Sequence, residues 1–519
     1  MSASDLLRDF ERDGNLDSLD QAIEQLELAA TMTPQSDTNQ LGTLSDLGTA
    51  LLYRFKCLGD VNDIHNSISN TQAVVVLTPD GDPEKPNRMR SLGNSLRARF
   101  RRLGGLEDLH RAITYQQAAV DLTPDGHPDK PTQLNDLGNS LLDRFERLGN
   151  NGDIDNAISY QQIAVDVTPD GHLDKPHYLA NLGNSLLCRF RRHGNLDDLD
   201  NAISRERAAI NLTQDDHPDM PAWMNNLGRT LLVRFERLGN VDDVNNAIEY
   251  LLLAVHCTPD SHPRKLDFLD HLGSSLLARF ERLGNLDDLD QALAYQQAAI
   301  DLTPDGHPEK PTQLSDLGNS LLARFKRLRN NSDIDNAIEY QQLAVNHTPD
   351  GHPRKLKYLD NLGSSLLVRF ERLGNLNDLD QALAYQRAAV NLTPDGHPDK
   401  PSWLNHLGNS LLARFKRLGD DNDINNAVEY QRFAVNRTPD GHPNKPLLLN
   451  KLGSSLQVRF RRFGNPEDID EAISYLEVAV ALTPDGHPDK SGRLSDLSHC
   501  LRIQTQRLEN PGNIDNSYP

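Results

Sequence analysis

Three rows of polar side chains recur at one fixed step along this sequence, and each could do different chemistry. The first is histidine, at His127, His172, His217, His262, His307, His352, His397, His442 and His487, half of the 18 in the chain. A row of imidazoles suggests metal binding, but its members are 45 residues apart. Units stacked at helix-packing distance hold them roughly 10 Å from one another, whereas a zinc ion needs its ligands at about 2 Å. The spacing assigns them to loop packing or turn capping.

The second row is arginine, at Arg54, Arg99, Arg144, Arg189, Arg234, Arg279, Arg324, Arg369, Arg414 and Arg459, with Arg147, Arg237 and Arg282 beside it. These cations fall in the last turns of a helix, where they complement its dipole. The acidic run at Leu286-Asp287-Asp288 and its equivalents opens the next helix, where anions are favoured. The other use for the arginines is a basic strip for acidic peptides. The third row follows a recurring glycine and holds Asn94, Asn139, Asn184, Asn319 and Asn409, with Ser274, Ser364 and Ser454 interleaved. An amide offers two donors and an acceptor, so a row of them can hold an extended peptide backbone. This row is the candidate peptide groove. Replacing Asn139 and Asn184 by alanine is expected to weaken binding while leaving stability almost unchanged.

Catalytic signatures are missing. The sequence has no GxxxxGK[ST] loop, HExxH, GxSxG or CxxC, and no segment departs from the period to host a site. The expectation is binding without catalysis or cofactor. A net charge of −21, from 54 basic and 75 acidic residues, argues against nucleic-acid partners, which want a basic footprint, and against anionic membranes. No apolar run approaches the roughly 18 residues of a membrane span, and the N-terminus lacks a signal-peptide core. Cys57, Cys188, Cys257 and Cys500 occupy four different repeat positions, as reduced thiols of a cytoplasmic protein would.

The elements that carry these rows follow from the period. Gly48, Gly93, Gly138, Gly183, Gly228, Gly273, Gly318, Gly363, Gly408 and Gly453 are each 45 residues apart, and Ser498 takes the next place. A fixed period of this length marks a supersecondary unit that buries its apolar face only against its neighbours. In residues 129–173, Leu134, Leu137, Leu141, Phe145 and Leu148 are spaced as one helix face. Asp129 and Pro131 suit its start, and Gly149-Asn150 its end. A second helix begins near Asp153 and carries Ile154, Ala157, Ile158, Ala164 and Val165, with Thr168-Pro169-Asp170-Gly171 as a type I turn after it. Each unit is thus two helices, of about 17 and 15 residues. Eleven of the 14 phenylalanines, Phe10 to Phe460, keep the same period and read as core.

These residues resemble the tetratricopeptide repeat. Leu134, Leu137, Gly138 and Leu141 match its first helix, and Ala157, Ala164 and Pro169 its second. Seven extra residues lengthen the first helix through the RFERL segment and four more add the GHPDK loop, which accounts for 45 against the usual 34. The long form looks like arrays in large fungal proteins that also carry a caspase-like CHAT domain or a nucleotide-binding domain. The resemblance implies an all-α, right-handed α-solenoid with the candidate amide row facing a concave groove. The expected organisation is a continuous solenoid over residues 1–508, of about eleven hairpins plus a final helix, and a poorly ordered start of a further repeat over 509–519. The implied function is a protein-binding scaffold or adaptor holding an extended peptide or partner protein. The alternative is a detached recognition arm of a larger signalling or defence protein. The carboxylate-clamp lysine is missing, with Ser45, Arg90, Asn135, Ala180, Asn225 and Asp270 in its place, so chaperone docking is not expected.

Overall fold

The computed structural model describes residues 2–32, 38–213, 217–260, 262, 264–307, 309–485, 487 and 489–509. The expected start of a further repeat therefore lies, from residue 510 on, outside the described residues. What is described is all-α, with no strand. Helices pair as hairpins: α1 (Ala3–Asp13) with α2 (Leu16–Met32), α3 (Thr38–Leu58) with α4 (Val61–Leu77), and α5 (Lys85–Leu103) with α6 (Leu106–Leu122). Next come α7 (Lys130–Leu148) with α8 (Asn151–Val167), α9 (Lys175–His193) with α10 (Leu196–Leu212), and α11 (Met220–Leu238) with α12 (Val241–His256). Then follow α13 (Lys265–Leu283) with α14 (Leu286–Leu302), α15 (Lys310–Leu328) with α16 (Asn331–Asn346), and α17 (Lys355–Leu373) with α18 (Leu376–Leu392). The last are α19 (Lys400–Leu418) with α20 (Asp421–Arg437), α21 (Lys445–Phe463) with α22 (Pro466–Ala481), and α23 (Lys490–Glu509). The chain forms two compact units, one of Met1–Cys188, Asp197–Val233 and Val241–Lys355, the other of Arg189–Leu196, Arg234–Asn240 and Leu356–Pro519.

In α7 and α8 the periodic residues Leu134, Leu137, Leu141, Phe145, Ile154, Ala157, Ala164 and Val165 are all buried. Each large apolar side chain so buried contributes about 1.5–3 kcal/mol. The ladder phenylalanines from Phe55 to Phe460 are buried in the same way, and Phe10 is half-buried. The repeat glycine marks the closest approach of the two helices. A Cβ on Gly138 would stand 2.8 Å from Gln161 Cγ and 3.1 Å from the Ala157 carbonyl oxygen.

Both helices are two residues longer than the periodicity predicts, 19 and 17. The first ends on Gly149 in the left-handed region at φ 71°, whose N–H reaches the Phe145 carbonyl at 2.7 Å. Asn150 then caps the second helix, accepting from the Gly152 N–H at 3.1 Å, so α8 starts at Asn151 and not near Asp153. Asp129 does not cap α7 with its side chain. Its own backbone is already helical, at φ −82° and ψ −13°, because the preceding loop has tightened into turns. The loop turn also sits one residue later than expected, closed by the His172 N–H on the Pro169 carbonyl at 3.0 Å.

Candidate binding surface on the first-helix wall

Each of the three polar rows has a defined place. The loop histidines act inside the chain. In all nine loops the histidine Nδ1 accepts the backbone N–H two residues on, at 3.1–3.2 Å. That bond ties the turn leading into the next first helix and fixes the proton on Nε2. A lysine three residues after the histidine completes the join in eight of the nine loops, Met220 taking its place after His217. Lys130 Nζ, for example, donates to the carbonyls of Thr123 and Val120 at 2.7 and 2.8 Å, satisfying the end of the preceding helix.

The arginine row does more than complement a helix dipole, and it is not a strip for acidic peptides. Arg144 forks onto Asp153 through Nε at 2.8 Å and Nη2 at 2.6 Å. Arg54, Arg99, Arg279, Arg369, Arg414 and Arg459 fork the aspartate nine residues on in the same way. The aspartates are buried. Bidentate pairs of this kind fix two helices in angle as well as position. In the second row, burial lowers the pKa of Arg147 and Arg237.

The amide and hydroxyl row lies on a wall made by the first helices. Those of successive hairpins touch one another, α3 with α5, α5 with α7 and α13 with α15 in one unit, α19 with α21 and α21 with α23 in the other. All eight candidate residues, Asn94 to Ser454, are half-buried there. Four of the asparagines have their side-chain carbonyls already engaged. Asn94, Asn139, Asn319 and Asn409 accept at 2.9–3.1 Å from the buried amides of Gln116, Gln161, Gln341 and Gln431 on their own second helices. Asn139→Ala would therefore strand the Gln161 amide, and the expected indifference of stability to that change is corrected here. Opposite Asn184 the glutamine is replaced by Glu206, which is fully enclosed. Burial pushes its carboxyl up to about 8, against the hydrogen bond donated by Thr230 Oγ1 at 2.9 Å.

Polar pairs also link neighbouring first helices across this wall. Arg90 meets Asp136 at 3.0 Å, Asn94 Nδ2 donates to the same carboxylate at 2.9 Å, and Arg97 Nε donates to Asp143 at 2.5 Å. Thr132 meets Tyr178 at 2.7 Å, and His406 meets Asp360 at 2.6 Å.

In the first unit the wall gathers cations. The Lys56 ammonium stands 5.8 Å from the centroid of the Tyr53 ring, a favourable cation–π distance. It reaches solvent, but the surrounding walls strip much of its hydration. That desolvation, with Arg97, Arg264 and Arg101 beside it, pulls its pKa down to about 8, with Asp136 opposing. Among the described residues no carboxylate is within ion-pair distance of Lys56. Further along the same unit, desolvation and the nearby Glu309 push Asp267 up to about 7. Glu309 itself is held down to about 2 by Arg354, despite its burial.

The periodicity did not single out this cluster: Lys56 and Arg101 share one repeat position, which other hairpins fill with glutamate at least as often as with a cation. Arg97 stands where Leu142, Leu187, Leu232, Leu277, Leu322, Leu367 and Leu412 stand in other hairpins. That departure, shared at the same position only by Gln457 and Arg502, was the available signal. Among the described residues no group of three histidine, cysteine, aspartate or glutamate side chains is placed to hold a metal ion, and no helix is long and apolar enough to cross a membrane.

No family model matches this chain, and no curated protein matches its sequence. Solved structures do resemble it. Human IFIT1, as a dimer with PPP-AAAA, aligns over 92% of this chain and 93% of its own at 14% identity and a TM-score of 0.50. The human IFIT1 dimer with m7Gppp-AAAA aligns over the same shares at 13% identity and 0.51. Yeast Tom70 aligns over 98% of this chain and 97% of its own at 15% identity and 0.42. At such identities the likeness bears on fold alone, and the fold is a tetratricopeptide-like α-solenoid of helical hairpins.

Proposed function

We propose that this chain is a binding scaffold of the long tetratricopeptide type, whose first-helix wall is the concave groove and takes an extended, acidic protein segment. The observation that carries the reading is Lys56, a cation with no carboxylate in ion-pair reach among the described residues, whereas Arg97 and Arg101 share Asp143 and Arg264 pairs with Asp219. A carboxylate or phosphate of the partner would pair with Lys56 and be enriched there by the partly desolvated walls. The NH2 groups of Asn139, Asn319 and Asn409, whose carbonyls are engaged by glutamine, would donate to the partner's backbone.

Two sets of variants separate these contributions. Lys56→Gln with Arg101→Gln should weaken binding of an acidic peptide about tenfold or more and flatten its salt dependence, measured by fluorescence anisotropy. Asn139→Asp with Asn319→Asp keeps the acceptors for Gln161 and Gln341 while removing the donors, and should cost roughly 0.5–1.5 kcal/mol per lost hydrogen bond. Binding of acidic peptides that ignores both sets overturns the groove. A preference for single-stranded RNA over every acidic peptide would redirect the reading to the kind of ligand seen with IFIT1.

A further inference from the structure

The same pair of surfaces meets within each unit, and both surfaces also occur uncovered. In the first unit the end of α5 lies on the loop before α17. A Cβ on Gly351 would stand 2.9 Å from the Leu103 carbonyl oxygen and one on Gly104 would collide with the Gly351 carbonyl, while Arg102 Nη2 donates to the Gly306 carbonyl in the neighbouring loop, before α15, at 3.1 Å. In the second unit the end of α9 meets the loop before α21 in the same way. A Cβ on Gly441 would stand 2.8 Å from the His193 carbonyl oxygen, and one on Gly194 would collide with the Gly441 carbonyl. Gly104 with Gly351 and Gly194 with Gly441 are both 247 residues apart (351 − 104 and 441 − 194), so one docking geometry is used twice.

Where that contact is made, the helix end is covered and the loop partly so. Gly104 is buried and Leu103, His193 and Gly194 are half-buried, while on the loop side His352 and His442 are half-buried beside the exposed Gly351 and Gly441. Elsewhere the same repeat positions are open. Leu283, Leu328, Leu373, Leu418 and Phe463 at the ends of first helices are 47–57% exposed, and a Cβ on Gly284, Gly374 or Gly419 would meet nothing within 4 Å. Among the loops, His127 and His172 are exposed, and a Cβ on Gly126 or Gly171 would also stand in open space. Charge is complementary as well. The open helix ends present Arg327, Arg372 and Arg417, and the open loops present the highly exposed Asp125 and Asp170, each of which also faces a lysine at the end of its own loop, Lys130 and Lys175.

We infer that the open helix ends dock the open histidine loops of a second copy of this chain, repeating between molecules the contact that each unit already makes within itself. The two surfaces differ, so the contact is head to tail and does not stop at two copies unless a ring closes.

Sedimentation velocity of the full chain tests this. The mass should rise with concentration from about 1 to about 100 µM, the range in which weak contacts become populated, and pass beyond two copies. Leu373→Glu with Leu418→Glu should leave a 58.0 kDa monomer, as should Asp125→Arg with Gly171→Arg. All four changes fall on outward-facing positions, and circular dichroism should report unchanged helix. Mixing the two variants is the decisive arm. Each keeps the surface the other lacks, so an equimolar mixture should form a 1:1 complex and grow no further. A wild-type chain that stays monomeric overturns the inference. So does an assembly that survives either double change, or a mixture that fails to pair.

Discussion

Hairpins α7–α8 and α13–α14 present the same backbone but answer one polar problem differently. In the first, the buried Gln161 amide donates to Asn139 at 3.1 Å. In the second, Ser274 stands in the asparagine's place, and neither the nitrogen nor the oxygen of the buried Gln296 amide has a partner within the protein. Hairpin α17–α18 repeats this with Ser364 and Gln386. Hairpin α21–α22 removes it, placing Leu476 opposite Ser454. The residue after the repeat glycine is thus one half of a pair between helices, and only the amide group left over can serve a ligand. Where serine replaces asparagine, the stranded amide costs about 1–3 kcal/mol.

The largest effect should be indifferent to this contrast. Phe145→Ala and Phe280→Ala remove the same ladder position from the two hairpin types, and each should cost about 3–5 kcal/mol. Hydrogen exchange should show the loss confined to the altered hairpin and its neighbours, since units contact mainly what adjoins them. A rise spread evenly from end to end would refute that locality.

Glu206 sharpens the contrast through pH. Its folded pKa of about 8 lies above the unfolded value, so folding favours the protonated form. Its destabilising effect is absent below about pH 4, grows as pH rises, and levels off above about pH 8. Glu206→Gln should therefore raise stability by a few kcal/mol at pH 8 and hardly at all at pH 4. Chemical denaturation at the two pH values checks the sign, and an equal gain at both would rule out titration as the cause.

The smallest effect should change sign between the hairpins. Gln296→Leu removes an amide that has no partner and should stabilise by about 1 kcal/mol or more, whereas Gln161→Leu strands Asn139 and should destabilise by about 1 kcal/mol. Ser274→Asn should recover part of the same gain. Thermal melts of the three variants decide the matter, and two leucine variants that shift the same way would break the comparison.

The sequence was most readable where one residue type answers to one local need. Leu134, Leu137, Leu141 and Phe145 bury one face of a helix, and Gly149 ends it in the left-handed region; each of these follows from spacing within a dozen residues. The forks were half readable. Arg144 and Asp153 each stood in a visible row, but their pairing depends on how far the chain reverses between helices. Asp129 misled because capping needs an extended backbone, and the His127 turn had already made that backbone helical. The Lys56 cluster and the seat of α5 on Gly351 were beyond local reading. The first brings together residues far apart in sequence, and the second depends on rotations accumulated over five or more hairpins.

The fork between arginine and aspartate spans only nine residues, as Arg144 and Asp153 do, so both partners travel on the same short stretch of gene. Unequal recombination that adds or deletes a 45-residue unit by cutting within a loop hands on every fork whole. The pairs that line the wall span 46 residues in Arg90 with Asp136 and in Thr132 with Tyr178, and each new junction puts strangers beside one another. Inheritance is secure for what closes a hairpin and loose for what faces a ligand, so such an array can change its length and its wall chemistry in a single genetic event while every hairpin keeps its angle.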